Sequence, residues 1–336
     1  CYAACVNSNE LEKIMTGTVL ILGANGRFGR AATQAFANAG WQVRAASRNA
    51  NSQPRTGVTA IAVDVMGGAA LSAAAQGADV IVHAVHPPYP DWAKIMPIHT
   101  KNIIAAARAS AAAVMVVGNV YTFGENAPEV YAETLTPAPT TRKGRLRLDM
   151  ERAFEAAAAD GVRSVILRSG DFIEREKTGN WFDTYMTNRL HKGVFTYPGR
   201  RDAVHSWAYL PDMARAMVGL AARRDTLPAF SSFGFEGYSL TGHEMHQAVE
   251  NAVGRPLKAA AFPWPLMRVL ALFSPLVREV LEMRYLWEVP HRIDGGPLAA
   301  ALPNFEPTPL GEAMRQVLLP QSDDARDPRP AALRSA

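Results

Sequence analysis

The stretch Thr18–Arg48, TVLILGANGRFGRAATQAFANAGWQVRAASR, constrains the fold of this chain more than any other. Val19 to Leu22 is a short apolar run flanked by Gly, which suits a strand buried on both faces. Gly23, Gly26 and Gly29 follow with the spacing G-x-x-G-x-x-G, and the Ala-rich segment to Ala39 reads as a helix. Gly40 sits where a helix end favours a left-handed residue. Trp41 to Ala46 reads as a second strand, ending in Ser47-Arg48. Glycines between a strand and a helix let backbone N–H groups approach a pyrophosphate, and the helix N-terminus adds partial positive charge. Gly23, Asn25, Gly26, Arg27, Phe28 and Gly29 are therefore expected to hold a dinucleotide.

The elements that follow repeat the alternation. Gly57–Val65 reads as a third strand, an Ala-rich helix leads to Gly77, and Asp79–Val85 forms a fourth buried strand. After the stiff Pro87-Pro88-Tyr89-Pro90 connection, a long helix runs from Asp91 to about Ala109, and Ala113–Val117 gives a fifth strand. Such alternation implies right-handed crossovers and a Rossmann-type α/β fold, a doubly wound parallel sheet with an embedded smaller substrate-binding portion. The expected organisation is an extension over 1–15, a dinucleotide-binding domain over 16–170 and a mostly substrate-binding portion over 171–320. Within the last, a segment near 203–235 returns to the sheet, and residues 321–336 have the composition of a disordered tail.

With 336 residues, 48% hydrophobic and 20% charged, the chain is long enough for a large core. Its net charge of +4 is scattered, not striped, which argues against nucleic acid as partner. Its two cysteines, Cys1 and Cys5, make neither a disulfide framework nor a zinc spacing. His83 and His86 stand at a strand end and His243 and His246 on a helix, without a third ligand nearby, so no metal is expected. With Ala84 and Val85, the first pair is expected to line the cofactor crevice. Residues 1–14 lack a signal-peptide pattern, and Met15 is read as the natural start. No apolar run is long enough to span a membrane, and the expected location is the cytoplasm.

The glycine spacing and its strand–helix context resemble the short-chain dehydrogenase/reductase superfamily, in particular its extended and atypical members. The resemblance spans about residues 16–320 in element order. Members that prefer NAD place an acid at the end of the second strand. Here that position offers Arg48, whose guanidinium suits a 2′-phosphate, so the resemblance implies NADP over NAD. It also implies that Asp64 and Val65 lie beside the adenine, although a strand-end Asp capping the next helix fits Asp64 equally. Leu167-Arg168-Ser169-Gly170 resembles the L-R-x-G segment whose backbone contacts the nicotinamide amide.

The expected catalytic helix departs from the superfamily pattern. Residues 139–154, PTTRKGRLRLDMERAF, put Lys143, Arg147 and Glu151 on one face at i, i+4 and i+8. Aligned on Glu151, Arg147 replaces the lysine and Lys143 the tyrosine of the usual Tyr-x-x-x-Lys pair. The arrangement is similar to isoflavone reductase-like enzymes, in which a helix lysine is the general acid/base, a role that falls on Lys143. That role asks for a lysine pKa lowered from about 10.4 toward ~7–8 by desolvation and positive neighbours. Tyr121, just after the fifth strand, is the competing proton donor. Asn119, where extended members carry a Ser-Thr clamp, is a neutral donor able to polarise a carbonyl.

Downstream, a helix is expected from about Asn180 to Leu190. His205, Trp207 and Tyr209 share one strand face, suited to core packing or to an aromatic or apolar substrate. Pro263–Tyr285 is apolar but interrupted by prolines and charges, and reads as a lid, a dimer face or an interfacial helix. The leading expectation is NADPH-dependent reduction of a small organic substrate, with homodimerisation open. The alternatives are an NAD-dependent sugar epimerase/dehydratase and a non-catalytic NADP sensor.

Overall fold

The computed structural model describes residues 16–50 and 56–319. The expected N-terminal extension and the tail 321–336 lie outside the described residues. The strands in chain order are β1 (Thr18–Leu22), β2 (Gln42–Ser47), β3 (Val58–Ala62), β4 (Val80–His83), β5 (Ala113–Asn119), β6 (Val130–Tyr131) and β7 (Ser164–Ser169). They continue as β8 (Asp171–Ile173), β9 (Val194–Tyr197), β10 (Val204–Tyr209), β11 (Phe230–Gly234), β12 (Tyr238–Thr241), β13 (Lys258–Ala261) and β14 (Arg292–Ile293). The helices are α1 (Arg27–Asn38), α2 (Gly68–Ala75), α3 (Trp92–Ser110), α4 (Arg142–Ala157) and α5 (Leu210–Ala222). Then come α6 (Gly242–Val253), α7 (Trp264–Leu270), α8 (Pro275–Glu282), α9 (Gly296–Ala301) and α10 (Leu310–Leu318).

Seven strands form one parallel sheet in the order β3-β2-β1-β4-β5-β7-β11. β1 shows why the sequence requires two covered faces. Val19 and Ile21 pack with Phe36 of α1, Trp41 and the apolar residues of α5. Leu20 and Leu22 point the other way, into a core shared with Trp92 and Ile103 of α3 and Phe154 of α4. All four side chains are fully buried, each stabilising the fold by about 1.5–3 kcal/mol. Strand order reverses beside β1, between it and β4, and in a sheet of this kind the ligand crevice lies there, at the strands' C-terminal ends.

The remaining strands build the smaller portion. β10 pairs parallel with β8 and antiparallel with β12, β9 pairs with β13, and β6 with β14. Its core joins Phe182, Tyr197, Trp207 and Trp287 to Met245 of α6 and Met314 of α10. His205, Trp207 and Tyr209 are all buried, so their shared face is interior packing and not an open ring-lined wall.

The helix expected over 180–190 is replaced by a single wide turn at Phe182–Met186 and a short turn at Leu190–Lys192. Asp183 accepts from the N–H groups of Thr178 and Gly179, and the Asn180 side chain accepts from Asp183 N–H. These local bonds compete with regular helix.

Candidate active site

The glycine turn takes its shape from contacts that leave no room for side chains. Gly23 has φ +79°, and a Cβ there would sit 3.0 Å from the Ala84 carbonyl oxygen. A Cβ on Gly29 would lie 2.0 Å from the Gly23 carbonyl oxygen, so α1 can approach β1 only with glycine at this position. Gly26, the N-cap of α1, supplies no side-chain cap, and the first turn holds no acid. The opening N–H groups of α1 therefore face the crevice as donors, with the positive end of the helix dipole behind them. This donor set fits a dinucleotide pyrophosphate.

Asn25 Nδ2 donates to Ser47 Oγ at 3.0 Å, drawing the glycine turn to the end of β2. Arg48 follows, exposed and free of any carboxylate partner among the described residues. Ala84 and Val85 lie just past β4, half-buried beside the turn.

Five of the residues expected at the cofactor, Arg27, Phe28, Asp64, Val65 and Gly170, have contacts of their own within the chain. The Phe28 side chain belongs to the core, leaving its backbone N–H for the ligand. Arg27 bonds to Thr178 through Nε at 2.8 Å and approaches Glu174 at 3.4 Å, tying α1 to the smaller portion. β3 ends at Ala62, so Asp64 lies in the following turn, exposed, accepting from Met66 N–H, while Val65 is buried. Gly170 is needed where its chain crosses β10, since a Cβ there would meet the Ser206 carbonyl oxygen at 2.1 Å.

The aligned face of α4 is turned entirely inward. Glu151 forms a two-pronged pair with Arg168 of β7, at 3.0 and 2.9 Å, in which Glu133 also takes part. Arg147 donates to the Val117 carbonyl at 3.2 Å, and its guanidinium lies 4.8 Å from the Trp92 ring centre. Lys143 is fully buried and ion-paired to Glu279 and Glu282 of α8. Its neighbourhood is thus opposite in sign to the positive one that a lysine acid/base requires. The nearby Arg142 also turns to Glu279.

Beside this face stand two phenols. Tyr121 follows β5 and Tyr89 follows β4, and their hydroxyls lie 2.9 Å apart. Burial first, then the charges at Tyr89 and Asp171, push the Tyr121 pKa well above its ordinary value, with Arg147 opposing. Burial also raises Tyr89, while its bond to Tyr121 acts to lower it. Lys143 Nζ lies 5.3 Å from the centre of the Tyr89 ring. Asn119 Oδ1 accepts from Tyr121 N–H at 3.1 Å, so the amide NH₂ is the group left to donate.

Across the crevice, Asp171 opens β8, and its Oδ2 lies 2.8 Å from Nε2 of the buried His205. His83 is buried, and burial together with Arg147 lowers its pKa to about 3, which keeps it neutral. Among the described residues no group of three His, Cys, Asp or Glu is placed to hold a metal.

Sequence reasoning singled out Lys143, Tyr121 and Asn119 but missed Tyr89 and Asp171. The proline-stiffened Pro87-Pro88-Tyr89-Pro90 connection was the visible signal for Tyr89. Asp171 carried no signal beyond following Gly170.

No curated protein matches the chain in sequence. Among solved structures, UDP-glucose 4-epimerase from Thermotoga maritima is similar with TM-score 0.71 at 13% identity, over 89% of this chain and 97% of that one. UDP-N-acetylglucosamine 4-epimerase from Bacillus cereus is similar with TM-score 0.70 at 14% identity, over 90% and 98%. MoeE5, in complex with UDP-glucose and NAD, gives TM-score 0.70 at 19% identity, over 90% and 97%. At these identities the likeness establishes the Rossmann-type fold. The sequence model of the NAD dependent epimerase/dehydratase family matches residues 19–233. That match fits epimerase/dehydratase chemistry better than NADPH-dependent reduction, the order opposite to the one expected from the sequence. The chain belongs to the NAD-dependent epimerase/dehydratase family and is an NAD(P)-dependent enzyme.

Proposed function

We propose that this enzyme moves a hydride between its nicotinamide cofactor and a carbon that alternates between secondary alcohol and ketone in a small organic substrate. The observation that carries the reading is the Tyr121–Tyr89 hydroxyl pair beside Asn119, at the C-terminal ends of β4 and β5. It offers a proton donor where the usual helix tyrosine is missing. The bound cofactor would supply or accept the hydride.

In this reading the chain's own residues do the rest. The turn Gly23–Gly29 binds the pyrophosphate, with Asn25 and Arg48 at the adenosine ribose. Ala84 and Val85 line the crevice, and the backbone near Gly170 flanks the nicotinamide end. The Asn119 NH₂ donates to the substrate oxygen, and Tyr121 passes its proton to that oxygen or takes it back. Tyr89 holds the Tyr121 hydroxyl in place. Because burial keeps Tyr121 protonated at neutral pH, donation to a ketone oxygen is the direction its surroundings favour. Lys143, held between two carboxylates, positions the ring of Tyr89 and takes no part in proton transfer.

Return of the hydride to the other face of the same carbon gives an epimer, and its return to a different carbon after the ketone intermediate has lost water gives dehydratase-type turnover; both regenerate the cofactor, and the family favours them. Net NADPH-dependent reduction is the second reading, favoured by the exposed Arg48 at the 2′-phosphate position.

The test incubates the protein with a nicotinamide dinucleotide and a panel of ketones, secondary alcohols and UDP-hexoses. Isomer formation without net change in nicotinamide absorbance marks an epimerase, and a net change marks a reductase. In both, Tyr121→Phe is expected to lower turnover about 10²–10⁴-fold with dinucleotide affinity retained. Full turnover in that variant would remove Tyr121 from the chemistry. Dinucleotide binding with no turnover on any substrate would favour a sensor.

A further inference from the structure

Of the nine large apolar side chains exposed among the described residues, six fall between Leu266 and Leu276, which makes them a patch and not a scatter. The segment consists of α7, the connection Ala271–Ser274 and α8. Leu272 and Phe273, 72% and 82% exposed, occupy the connection, so the apolar surface is a convex tip and not a groove. The base of this helical hairpin is anchored. Trp264 Nε1 donates to the Pro198 carbonyl, and Glu279 and Glu282 bind Arg142 and Lys143.

The anchoring has an electrostatic consequence. Both acids of the hairpin face inward and are consumed by cations of α4. Arg268 and Arg278 are exposed and have no carboxylate partner among the described residues; Arg278 donates only to the Ala271 carbonyl at 3.0 Å. The tip therefore presents leucine, phenylalanine and uncompensated guanidinium together.

A twofold contact between copies would set this patch against itself and bring the same arginines together without an acid between them. An anionic surface with an apolar layer beneath it complements both features. We propose that the α7–α8 hairpin docks on an anionic lipid surface. Leu272 and Phe273 would enter the boundary between headgroups and acyl chains, with Arg268 and Arg278 at the headgroup phosphates. The contact is peripheral, since no described helix is long and apolar enough to cross a membrane.

The experiment is sedimentation of the full chain with vesicles of phosphatidylcholine alone and of phosphatidylcholine mixed with phosphatidylglycerol. The chain is expected to bind the mixed vesicles, to bind the neutral ones far less, and to be released by added salt. Leu272→Ser/Phe273→Ser should weaken binding more than about tenfold, through loss of two buried apolar side chains. Arg268→Gln should weaken it about fivefold, the worth of one cation at a charged bilayer. These side chains lie in solvent, and an unchanged dinucleotide titration shows that each variant is folded. Absence of binding to the mixed vesicles, equal binding to both compositions, or undiminished binding of the double variant overturns the proposal. So does a parent chain that ignores vesicles but forms a dimer that the double variant dissolves.

Discussion

Arg48 shows how much one residue can decide and how locally it can be read. It follows β2 directly, lies in solvent, and sits next to Ser47, which Asn25 of the glycine turn already bonds. A guanidinium there can take a 2′-phosphate in two-pronged fashion, whereas a 2′-hydroxyl offers it little. NADPH is expected to bind at least about tenfold tighter than NADH, one charge-assisted contact being worth ~1.5–3 kcal/mol. Arg48→Ala should remove the difference, as a fluorescence titration would show, and equal affinity of the parent for both would leave NAD as the cofactor. The glycine turn was legible because its contacts are with backbone or lie near in sequence. The surroundings of Lys143 were not, because its carboxylates lie more than 130 residues further along the chain.

The α4 element carries the main revision. Three charged residues spaced i, i+4 and i+8 read as one functional face, and the structure makes that face a set of buried ties to three different elements. Glu151 ties α4 to β7, Arg147 to β5, and Lys143 to α8. For Glu282, burial pushes the pKa up, but the bonds from Lys143 and the Arg142 backbone outweigh it and hold the pKa below the usual value. A depressed carboxyl pKa stabilises the fold fully above the unfolded value of about 4.3 and loses that contribution as pH falls through the lower folded value. Protection of the α8 amides, measured against their intrinsic exchange rates, is therefore expected to be full at neutral pH and to fall in acid below about pH 4.3. The Glu279→Gln/Glu282→Gln variant strands a fully buried ammonium and should cost about 3–5 kcal/mol in denaturant unfolding. Lys143→Met, which removes that charge, should keep a measurable part of its turnover, reduced by what the lost contact with the Tyr89 ring costs. Complete loss of turnover in a folded Lys143→Met would restore the lysine as acid/base.

At the scale of the molecule, the chain leaves the main sheet after β7, builds β8 to β10, and returns through α5 to place β11 at the sheet edge. With the two portions interleaved in this way, thermal unfolding is expected in one transition. NADPH at a hundred times its Kd should raise the stability of the whole by about 2.7 kcal/mol. Calorimetry would read this as one peak moving upward, and a second, unshifted peak would show that the smaller portion melts independently. The sequence by itself determined the doubly wound sheet and the dinucleotide turn, because short buried strands and glycines at a strand–helix junction express rules that act within a few tens of residues. Tertiary structure alone decided which side chains meet in the crevice. Tyr89 reaches Tyr121, Asp171 reaches His205 and Lys143 is sealed by α8, all contacts whose partners are distant in the chain and are set by how helices and loops pack over the sheet.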